Sequence, residues 1–487
     1  MGATSFFDLS RRRRSASLAL TVFCIFAVLS LLRRDDELLR PARWGLDLHH
    51  IRPESGTESK NQSLDLTHLK KLDLTPNFSY SRRTIKTEFF DGKREEITTI
   101  NATLFPTEHT LDREELGNTT IVVPPPLTLR APYSPKVDTS IISFGVSTSA
   151  ERLPSAFPNF KHWLSNTSST LHVALSGLDN DDQLQDLQAQ LDDLSINGTI
   201  KPTTLPGSKA YFSLIKEQYD SRTPDTQWIV LIDDDTFMPS LPTLIKHLNT
   251  TYDSTQEMLI SAASDSIDQI HTFGLLPFGG GGIFISVPLA AFLVQPEIWE
   301  SCMNSSTREG DQIVNECLYA HSPVRPTFDQ GLNQMDISGG FHEPAGYFES
   351  GRQMLSIHHW RTWYHVDMPA VGSVSKACGF EGVLMRWKFA GDVVLSNGYS
   401  ITEYPQGITD SELAAVEKTW EGKKERFIHR IGPLREKLDR DRKITYGMVG
   451  TNVTEEGMRQ TYVERAEEVN DEKVGEDKVV ELVWLFG

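Results

Sequence analysis

The sequence predicts an α/β domain of the nucleotide-binding type, and three features lead to this prediction. The β-like apolar run 139–146 is followed by a hydroxyl-rich turn that contains Thr148 and by a polar segment to Arg152. A second apolar run, Trp228–Ile232, is typical of a buried strand and ends in three consecutive carboxylates. The glycine patch 279–282 precedes a third apolar run. A strand, a hydroxyl-rich turn and a helix form the usual entry to such domains, because hydroxyls and backbone amides there receive ribose or phosphate.

Further elements are predicted between residues 138 and 370 from apolar periodicity and turn signals. Strands are expected at 171–175 and 258–263, and helices at 184–194, 210–219 and 241–248. The acidic stretch 179–193 has apolar residues at helical spacing, so its charges are expected to form a solvated face.

Length and charge limit the number of domains and the kinds of partner that we expect for this protein. The 487 residues suffice for two or three domains with a large core. The chain has 48 basic and 66 acidic side chains, with a net charge of −18. Nucleic acids are bound by an excess of Lys and Arg, so a nucleic-acid partner is not expected.

The N-terminal region has the features of a membrane anchor. Residues 15–32 are mostly apolar and long enough to span a thin bilayer, and four arginines, Arg11 to Arg14, precede them. The positive-inside rule then predicts a cytosolic tail at 1–14, a transmembrane signal anchor at 15–32 and a lumenal remainder. A cleaved signal peptide is the alternative. Sequons for N-glycosylation all lie after the anchor, at Asn61, Asn77, Asn101, Asn118, Asn166, Asn197, Asn249, Asn304 and Asn452.

Residues 33–137 are polar, contain scattered prolines and show little sustained periodicity. They predict an extended, glycosylated stem with a strand or two near 84–103. At the other end, residues 371–487 predict a small α+β extension with strands at 382–394 and 479–486 and a helix at 410–422. No catalytic constellation is found in that extension.

The carboxylates Asp233, Asp234 and Asp235 favour a metal-diphosphate site. Three like charges this close repel and raise one another's pKa unless a divalent cation offsets them. They also follow a buried strand directly, at the edge where open α/β sheets bind ligands. A solvated turn is one alternative. An aspartyl phosphatase is another, but Phe237 stands where that motif requires Thr or Val.

Two further motifs admit both a structural and a functional interpretation. The glycine patch is either a flexible turn or bare backbone that a sugar ring approaches closely. His358 and His359 follow an apolar strand and should point to opposite faces, so at most one is expected to enter the site as a metal ligand. Trp360 and Trp363 fit either stacking on a sugar or a place in the core.

The cysteines give no metal signature. Cys302 and Cys317 are spaced to close a short loop in an oxidising lumen, with free buried thiols as the alternative. Cys24 lies within the predicted membrane span, and Cys378 is left over. Zinc is therefore not expected.

Taken in order, residues 228–237, the glycine patch, 311–317 and 356–358 resemble the Fringe-like β-1,3-glycosyltransferases of family 31. More narrowly, residues 329–360 are similar to a fungal and plant branch of uncharacterised Fringe-like proteins. The resemblance covers residues 138–365. It implies a GT-A fold with a mixed central sheet at 138–370. It also implies Mn²⁺, a UDP-sugar donor and inversion at the anomeric carbon.

Site residues follow from the same resemblance, position by position. The metal ligands would be Asp235, Asp233 and His358, and Asp311 would be the general base that accepts the proton of the acceptor hydroxyl. Nucleotide or donor contacts are assigned to Asp233 and Asp234 from the resemblance, to Thr148 and Arg152 from the turn after the first strand, and to Gly280 and Gly281 as bare backbone near a sugar. The segment departs from the family pattern at Gly310, where an acid is usual, and at Asn315, where glycine is usual. The four glycines of the patch also replace a usual Gly-Gly-Ala-Gly.

The function expected from this resemblance is transfer of a sugar from a UDP-sugar to a glycan or glycoprotein acceptor, with a β-1,3 linkage, in the Golgi or endoplasmic reticulum. The alternative is a lumenal glycan-binding protein that has the same fold and is catalytically inactive.

Overall fold

The apolar runs singled out above form strands, and most segments between them form helices. The structure is a computed structural model that describes residues 59–337, 345–420, 432–469 and 472–486. The strands are β1 (Lys60–Leu64), β2 (Asn77–Phe90), β3 (Thr98–Thr99), β4 (His109–Asp112), β5 (Thr119–Val123), β6 (Leu127–Pro132), β7 (Ile142–Ser149), β8 (Thr170–Ser176), β9 (Gly198–Pro202), β10 (Trp228–Ile232), β11 (Leu259–Ala262), β12 (Phe278–Ser286), β13 (Thr327–Phe328), β14 (Leu332–Asn333), β15 (Ser356–Ile357), β16 (Arg386–Phe389), β17 (Val393–Ser396), β18 (Ser400–Glu403), β19 (Val416–Lys418), β20 (Leu434–Glu436), β21 (Ile444–Val453), β22 (Gly457–Glu464), β23 (Glu467–Val469), β24 (Glu472–Val474) and β25 (Asp477–Leu485). The α-helices are α1 (Leu153–Leu164), α2 (Asp181–Asp193), α3 (Gly207–Ser221), α4 (Leu241–Thr251), α5 (Ile267–Phe273), α6 (Val287–Leu293), α7 (Pro296–Met303), α8 (Gly310–His321), α9 (Ala345–Phe348), α10 (Met368–Gly372), α11 (Ser375–Cys378) and α12 (Asp410–Ala414).

A seven-stranded sheet carries the predicted motifs, in the order β13-β11-β12-β10-β7-β8-β9. Strands β10, β7, β8 and β9 run parallel to one another, whereas β12 is antiparallel to both β10 and β11. The sheet is therefore mixed, which confirms that part of the fold prediction. The carboxyl end of β10 lies beside the carboxyl end of β7, and this places Asp233 to Asp235 next to the turn around Thr148.

Both faces of this sheet are covered by helices, as the continuous apolar runs of its central strands require. One face packs Phe144 and Val230 against Trp163 of α1, with α2 and α4 alongside. On the other face, Ile229 packs against Phe212 of α3, together with α6, α7 and α8. The loops at the carboxyl ends of the strands therefore sit on a rigid support.

The prediction of an extended stem is wrong for residues 59–137, the part of that segment that the structure describes. Strand β2 pairs in parallel with β25 from the C-terminal end of the chain and with β6, and it pairs antiparallel with β4. Its side chains Phe78, Tyr80 and Ile85 are fully buried. The strand's partner is supplied by the opposite end of the chain, so no local pattern in the sequence reveals the pairing.

The C-terminal segment is also more than a small extension. It provides six strands of a ten-stranded sheet, in the order β3-β16-β17-β18-β21-β22-β25-β2-β4, with β6 attached to β2. The core of this sheet includes Trp387 and Trp484 and continues into Ile357 and Trp360 beside the predicted site. The predicted helix at 410–422 is limited to α12 and is followed by β19. The second sheet therefore supports the segment that carries the histidines.

Cys302 and Cys317 form a disulfide between α7 and α8, as one of the two interpretations predicted. Cys378 is a buried free thiol. Among the helices of the described ranges, none is long and apolar enough to cross a bilayer. The predicted span 15–32 and Cys24 fall outside the described residues.

Candidate metal and nucleotide site

The three carboxylates of the loop after β10 point in different directions and have different exposure. Asp234 and Asp235 are buried, whereas the side chain of Asp233 is 42% exposed. The backbone N–H of Asp233 donates to Oγ1 of Thr236 over 2.9 Å, and that hydroxyl donates to the carbonyl of Gly280 over 2.8 Å. The loop is thereby fixed to β12, so the carboxylates are held at the edge of the sheet without help from a ligand.

His358 meets two of these carboxylates. Its Nε2 lies 3.1 Å from Oδ1 of Asp235 and 3.3 Å from Oδ2 of Asp233. Phe237 and Ile357 join the two segments through a pair of backbone hydrogen bonds of 2.8 Å each. The bridge sets His358, which follows Ile357, beside the loop that precedes Phe237. The imidazole is thereby directed at the carboxylates of that loop. The structure therefore brings together the three residues that the sequence predicts as metal ligands.

The prediction that at most one histidine enters the site is wrong. The ring of His359 lies against that of His358, with centroids 3.8 Å apart, and ligand atoms from Asp235, His358 and His359 all lie within 4.8 Å of one another. Strand β15 ends at Ile357 and His359 has a φ of 57°. The alternation of a β-strand therefore no longer applies at His359.

The surroundings of His359 fix its ring. Its Nε2 lies 3.1 Å from Oδ1 of Asp336, and Trp363 stacks on it with centroids 3.5 Å apart. A carboxylate behind a histidine is a common way to orient a metal ligand. Trp360 lies in the core and Trp363 lines the cavity beside the histidines.

Charge in this cluster is balanced by the imidazole of His358. Burial alone would lower its pKa, but hydrogen bonds to Asp233 and Asp235 raise the pKa to about 10. Burial likewise opposes ionisation of Asp235, yet its bonds to His358 and Thr362 hold the pKa of this carboxyl well below its usual value. The proton on His358 thus offsets the negative charge of the carboxylates, and a bound divalent cation would offset it in the same way. Carboxylate and imidazole donors suit a divalent transition metal such as Mn²⁺, so the residues present fit the predicted ion.

Asp234 holds cationic side chains and is not free to bind a metal. Its Oδ2 accepts a hydrogen bond of 2.6 Å from Thr148, and its Oδ1 accepts from Arg152 at 2.5 Å and from Arg361 at 2.6 Å. Thr148 and Arg152, both predicted as nucleotide contacts, line the same cavity as the metal cluster. This buried carboxylate therefore orients two guanidinium groups, and Arg152 lines a cavity of about 440 Å³.

Gly280 and Gly281 lie inside β12 and are buried. A Cβ at Gly280 would lie 2.1 Å from the His358 ring, and one at Gly281 would lie 2.4 Å from Cβ of Ala262. Bare backbone is needed here, as predicted, but a protein side chain takes up the space that the sequence analysis assigned to a sugar ring. Neither glycine lines the cavity at the metal cluster, so their role is to make room for the site's own residues.

Asp311, the predicted base, lies at the start of α8 and faces a second cavity of about 610 Å³. Its carboxylate accepts hydrogen bonds from the backbone N–H groups of Gly279, at 3.3 Å, and Gln312, at 2.7 Å. Burial and the nearby charge of Asp233 nevertheless raise its pKa to about 7. Asp233 and Ser147 line both this cavity and the one at the metal cluster. The two cavities are therefore adjacent.

Sequence reasoning missed His359, Arg361 and Thr362 as site residues. Thr362 donates to Oδ2 of Asp235 over 2.9 Å, and Arg361 bonds Asp234. All three follow His358 within a few residues, so proximity in sequence was the available signal. The turn that directs His359 and Thr362 to the cavity at the metal cluster, and Arg361 to Asp234, has no distinctive pattern.

Comparisons with known proteins gave distant structural likenesses only. No protein-family model and no curated protein matches this sequence. Among solved structures, mouse xyloside xylosyltransferase 1 in its apo form is 12% identical with a TM-score of 0.28, covering 45% of this chain and 96% of that one. The mannosyltransferase PcManGT from Pyrobaculum calidifontis, in complex with GDP-Man and Mn²⁺, is 12% identical with a TM-score of 0.28, covering 45% of this chain and 65% of that one. The resemblance to Fringe-like enzymes stays a prediction, and the function is argued from the site's own geometry.

Proposed function

We propose that this protein is a Mn²⁺-dependent, inverting glycosyltransferase that moves a sugar from a UDP-sugar to a hydroxyl of a glycan or glycoprotein. One observation carries the proposal. The Asp235–His358–His359 cluster and the carboxylate of Asp311 lie in two adjacent cavities that share Asp233. A site for a diphosphate-bound metal and a site for a base thus meet at Asp233 and Ser147.

The cavity at the metal cluster suits the nucleotide diphosphate. Arg152 lines the cavity with Ser147 and Ser149, and Arg361 forms an ion pair with the same carboxylate, Asp234. Guanidinium groups and hydroxyls are common partners of phosphate oxygens. The carboxylate of Asp234 keeps the guanidinium groups in place before the nucleotide arrives, which reduces the entropy lost on binding.

Asp235, His358 and His359, with Asp233 beside them, would hold the metal ion. Bound there, the ion supplies a Lewis acid that offsets the negative charge developing on the departing diphosphate. Asp235 and His358 are buried, so electrostatic effects at these ligands are stronger than at an exposed site.

Asp311 suits the role of general base. A carboxyl with a pKa near 7 is a better proton acceptor than an ordinary aspartate and is still about half ionised at neutral pH. In the transfer, the acceptor hydroxyl gives its proton to Asp311 and its oxygen forms a bond to the anomeric carbon. The bond from that carbon to the phosphate oxygen breaks, and UDP leaves with the bonding electrons.

The linkage, the donor and the compartment belong to the same proposal. The disulfide between Cys302 and Cys317 is consistent with an oxidising compartment, as the sequons and the predicted anchor are. We infer a type II membrane protein of the Golgi or endoplasmic reticulum that forms a β-1,3 linkage.

A panel of UDP-sugars tests the proposal. The full-length protein in detergent is incubated with each donor, with Mn²⁺ or with EDTA, and UDP release is measured in the presence of glycan acceptors. Release by the wild type that requires Mn²⁺ and is lost in His358→Ala is expected. Absence of metal-dependent UDP release with every donor, together with UDP binding in calorimetry, would favour the inactive glycan-binding alternative.

A further inference from the structure

The hydroxyl of Tyr211 makes no hydrogen bond that would stabilise the described part of the fold. The residue lies on α3, is 7% exposed and lines the cavity of about 610 Å³ that Asp311 faces. Within the described residues its buried Oη has no hydrogen-bond partner. A buried hydroxyl without a partner lowers stability, so a tyrosine here needs a reason that phenylalanine would not satisfy.

Two glycines make room for this side chain. A Cβ at Gly279 would lie 2.4 Å from Oη of Tyr211, and a Cβ at Gly310 would lie 2.6 Å from its ring at Cδ1. The side chain of Tyr211 therefore fits against both glycines, with its Cβ end at Gly310 and its hydroxyl at Gly279.

The hydroxyl of Tyr211 lies close to Asp311. The point that a Cβ of Gly279 would occupy is 2.4 Å from Oη of Tyr211 and 3.7 Å from Cβ of Asp311. A phenol is protonated at neutral pH and can donate one hydrogen bond, whereas the carboxylate of Asp311 accepts. A donor and an acceptor are therefore supplied by two residues that line the same cavity.

We propose that the hydroxyl of Tyr211 donates a hydrogen bond to the acceptor sugar, at the hydroxyl next to the one that Asp311 deprotonates. The acceptor is then a sugar with two free neighbouring hydroxyls, one for each residue, and not a serine or threonine side chain. This inference rests on the proposed function, because it assigns the acceptor's place to the cavity at Asp311.

The test uses Tyr211→Phe, which removes only the hydroxyl, and Tyr219→Phe, a matched change on the same helix outside both cavities. In ligand-free protein, Tyr211→Phe is expected to leave the Tm unchanged or raise it by about 1 °C, since an unpaired buried hydroxyl is lost. A fall of several degrees that Tyr219→Phe does not share would show that the hydroxyl has a structural partner, and this would overturn the inference.

The kinetic arm compares the best acceptor in a panel of methyl glycosides with its two deoxy analogues, each lacking one hydroxyl adjacent to the one that is glycosylated. For the wild type, one analogue should have a kcat/KM about tenfold lower than its parent. Tyr211→Phe should lose about tenfold with the parent and no longer distinguish the two, while its affinity for UDP with Mn²⁺ stays at the wild-type value.

The outcomes separate the inference from the function on which it rests. Equal discrimination by wild type and Tyr211→Phe overturns the inference and leaves the transferase intact. Transfer to Ser or Thr peptides alone does the same. Absence of Mn²⁺-dependent UDP release by the wild type overturns the proposed function and the inference with it.

Discussion

Nε2 of His358 lies 3.1 Å from Oδ1 of Asp235, although the two residues belong to distant parts of the chain. The contact depends on the bridge between Phe237 and Ile357, which aligns the residues that follow each of them. Proteins place an imidazole between carboxylates either as a structural ion pair or as a metal site. The adjacency of His359 and the cavity in front of the cluster favour the metal site.

The metal assignment predicts a specific loss in Asp235→Asn and His358→Ala. Removing a ligand should lower metal-dependent UDP-sugar turnover at least about 1000-fold, because both the ion and the orientation of the diphosphate are lost. Isothermal titration with UDP should show that Mn²⁺ no longer strengthens binding. His247→Ala is the matched control, since His247 pairs with Asp329 at 2.6 Å away from the site. Loss of turnover in the control as well would mean that folding, not metal binding, is affected.

Arg152 and Arg361 predict a change in nucleotide affinity. Arg152→Ala should raise the Kd for UDP about tenfold or more, because a charge-assisted contact with phosphate is removed. The side chain of Arg152 is 54% exposed, so the Tm should hardly change. Arg222→Ala, a surface arginine that lies over Tyr219, serves as the control. Unchanged UDP affinity in Arg152→Ala would remove this residue from the nucleotide site.

Asp311 predicts a pH dependence of transfer. Its pKa is raised to about 7, and a general base must be ionised, so kcat/KM should rise with pH through about 7 and level off above it. Asp311→Asn should bind UDP with Mn²⁺ normally and show no transfer. A flat profile between pH 6 and 8 in the wild type would assign the base elsewhere.

The raised pKa of Asp311 also makes the stability of the folded protein depend on pH. The folded protein holds a proton on Asp311 up to a higher pH than the unfolded chain does, so between about pH 4 and pH 7 stability falls as pH rises. Asp311→Asn removes this cost. The variant should be more stable than the wild type at pH 8, and its gain in stability should be smaller at pH 5. Thermal unfolding of the metal-free protein at both pH values measures the difference.

Gly280 predicts that one added methyl group disrupts the cluster. In Gly280→Ala the Cβ would lie 2.1 Å from the His358 ring, so the imidazole must move away from Asp235. We expect loss of Mn²⁺-dependent UDP binding and a fall of about 1–3 kcal/mol in the free energy of unfolding. Gly447→Ala, a strand glycine with nothing within 4 Å of the added Cβ, should do neither. Normal metal binding in Gly280→Ala would show that the imidazole is not held where the structure has it.

The disulfide between Cys302 and Cys317 predicts a global effect on stability. It closes a loop of 15 residues that includes the segment 305–310 lining the cavity at Asp311. Replacing both cysteines with serine should lower the free energy of unfolding by about 3 kcal/mol, mainly through the entropy of the unfolded chain. Chemical denaturation measures this change, and an unchanged midpoint would show that the loop is ordered without the bond.

Much of the central sheet was predictable because its signals are local. The strand Trp228–Ile232 is a short apolar run between turn residues, and helices α2, α3 and α4 have their apolar residues at helical spacing. The carboxylates after that strand could be assigned to the site edge from their position alone. Residues that act through a turn, such as His359 with its φ of 57°, follow no such pattern.

The second sheet shows the limit of local reasoning. Strand β2 was assigned to an extended stem because its segment is polar and rich in proline nearby, yet it pairs along nine residues with β25 at the other end of the chain. The free energy of such a pairing comes from side chains that meet only in the folded protein, so neither strand alone predicts it.

The sequence by itself determined the order of the central strands' apolar runs, the acidic loop after β10, the glycines of β12 and the histidine that follows β15. Only the tertiary structure decided that Gly280 makes room for His358, that Asp234 holds two arginines and that Tyr211 keeps an unpaired hydroxyl beside Asp311. The physical reason is the separation along the chain over which each interaction acts. Apolar periodicity and turn chemistry act between neighbours in the chain, whereas room for a side chain, a partner for a charge and the absence of a hydrogen bond depend on segments that folding alone brings into contact.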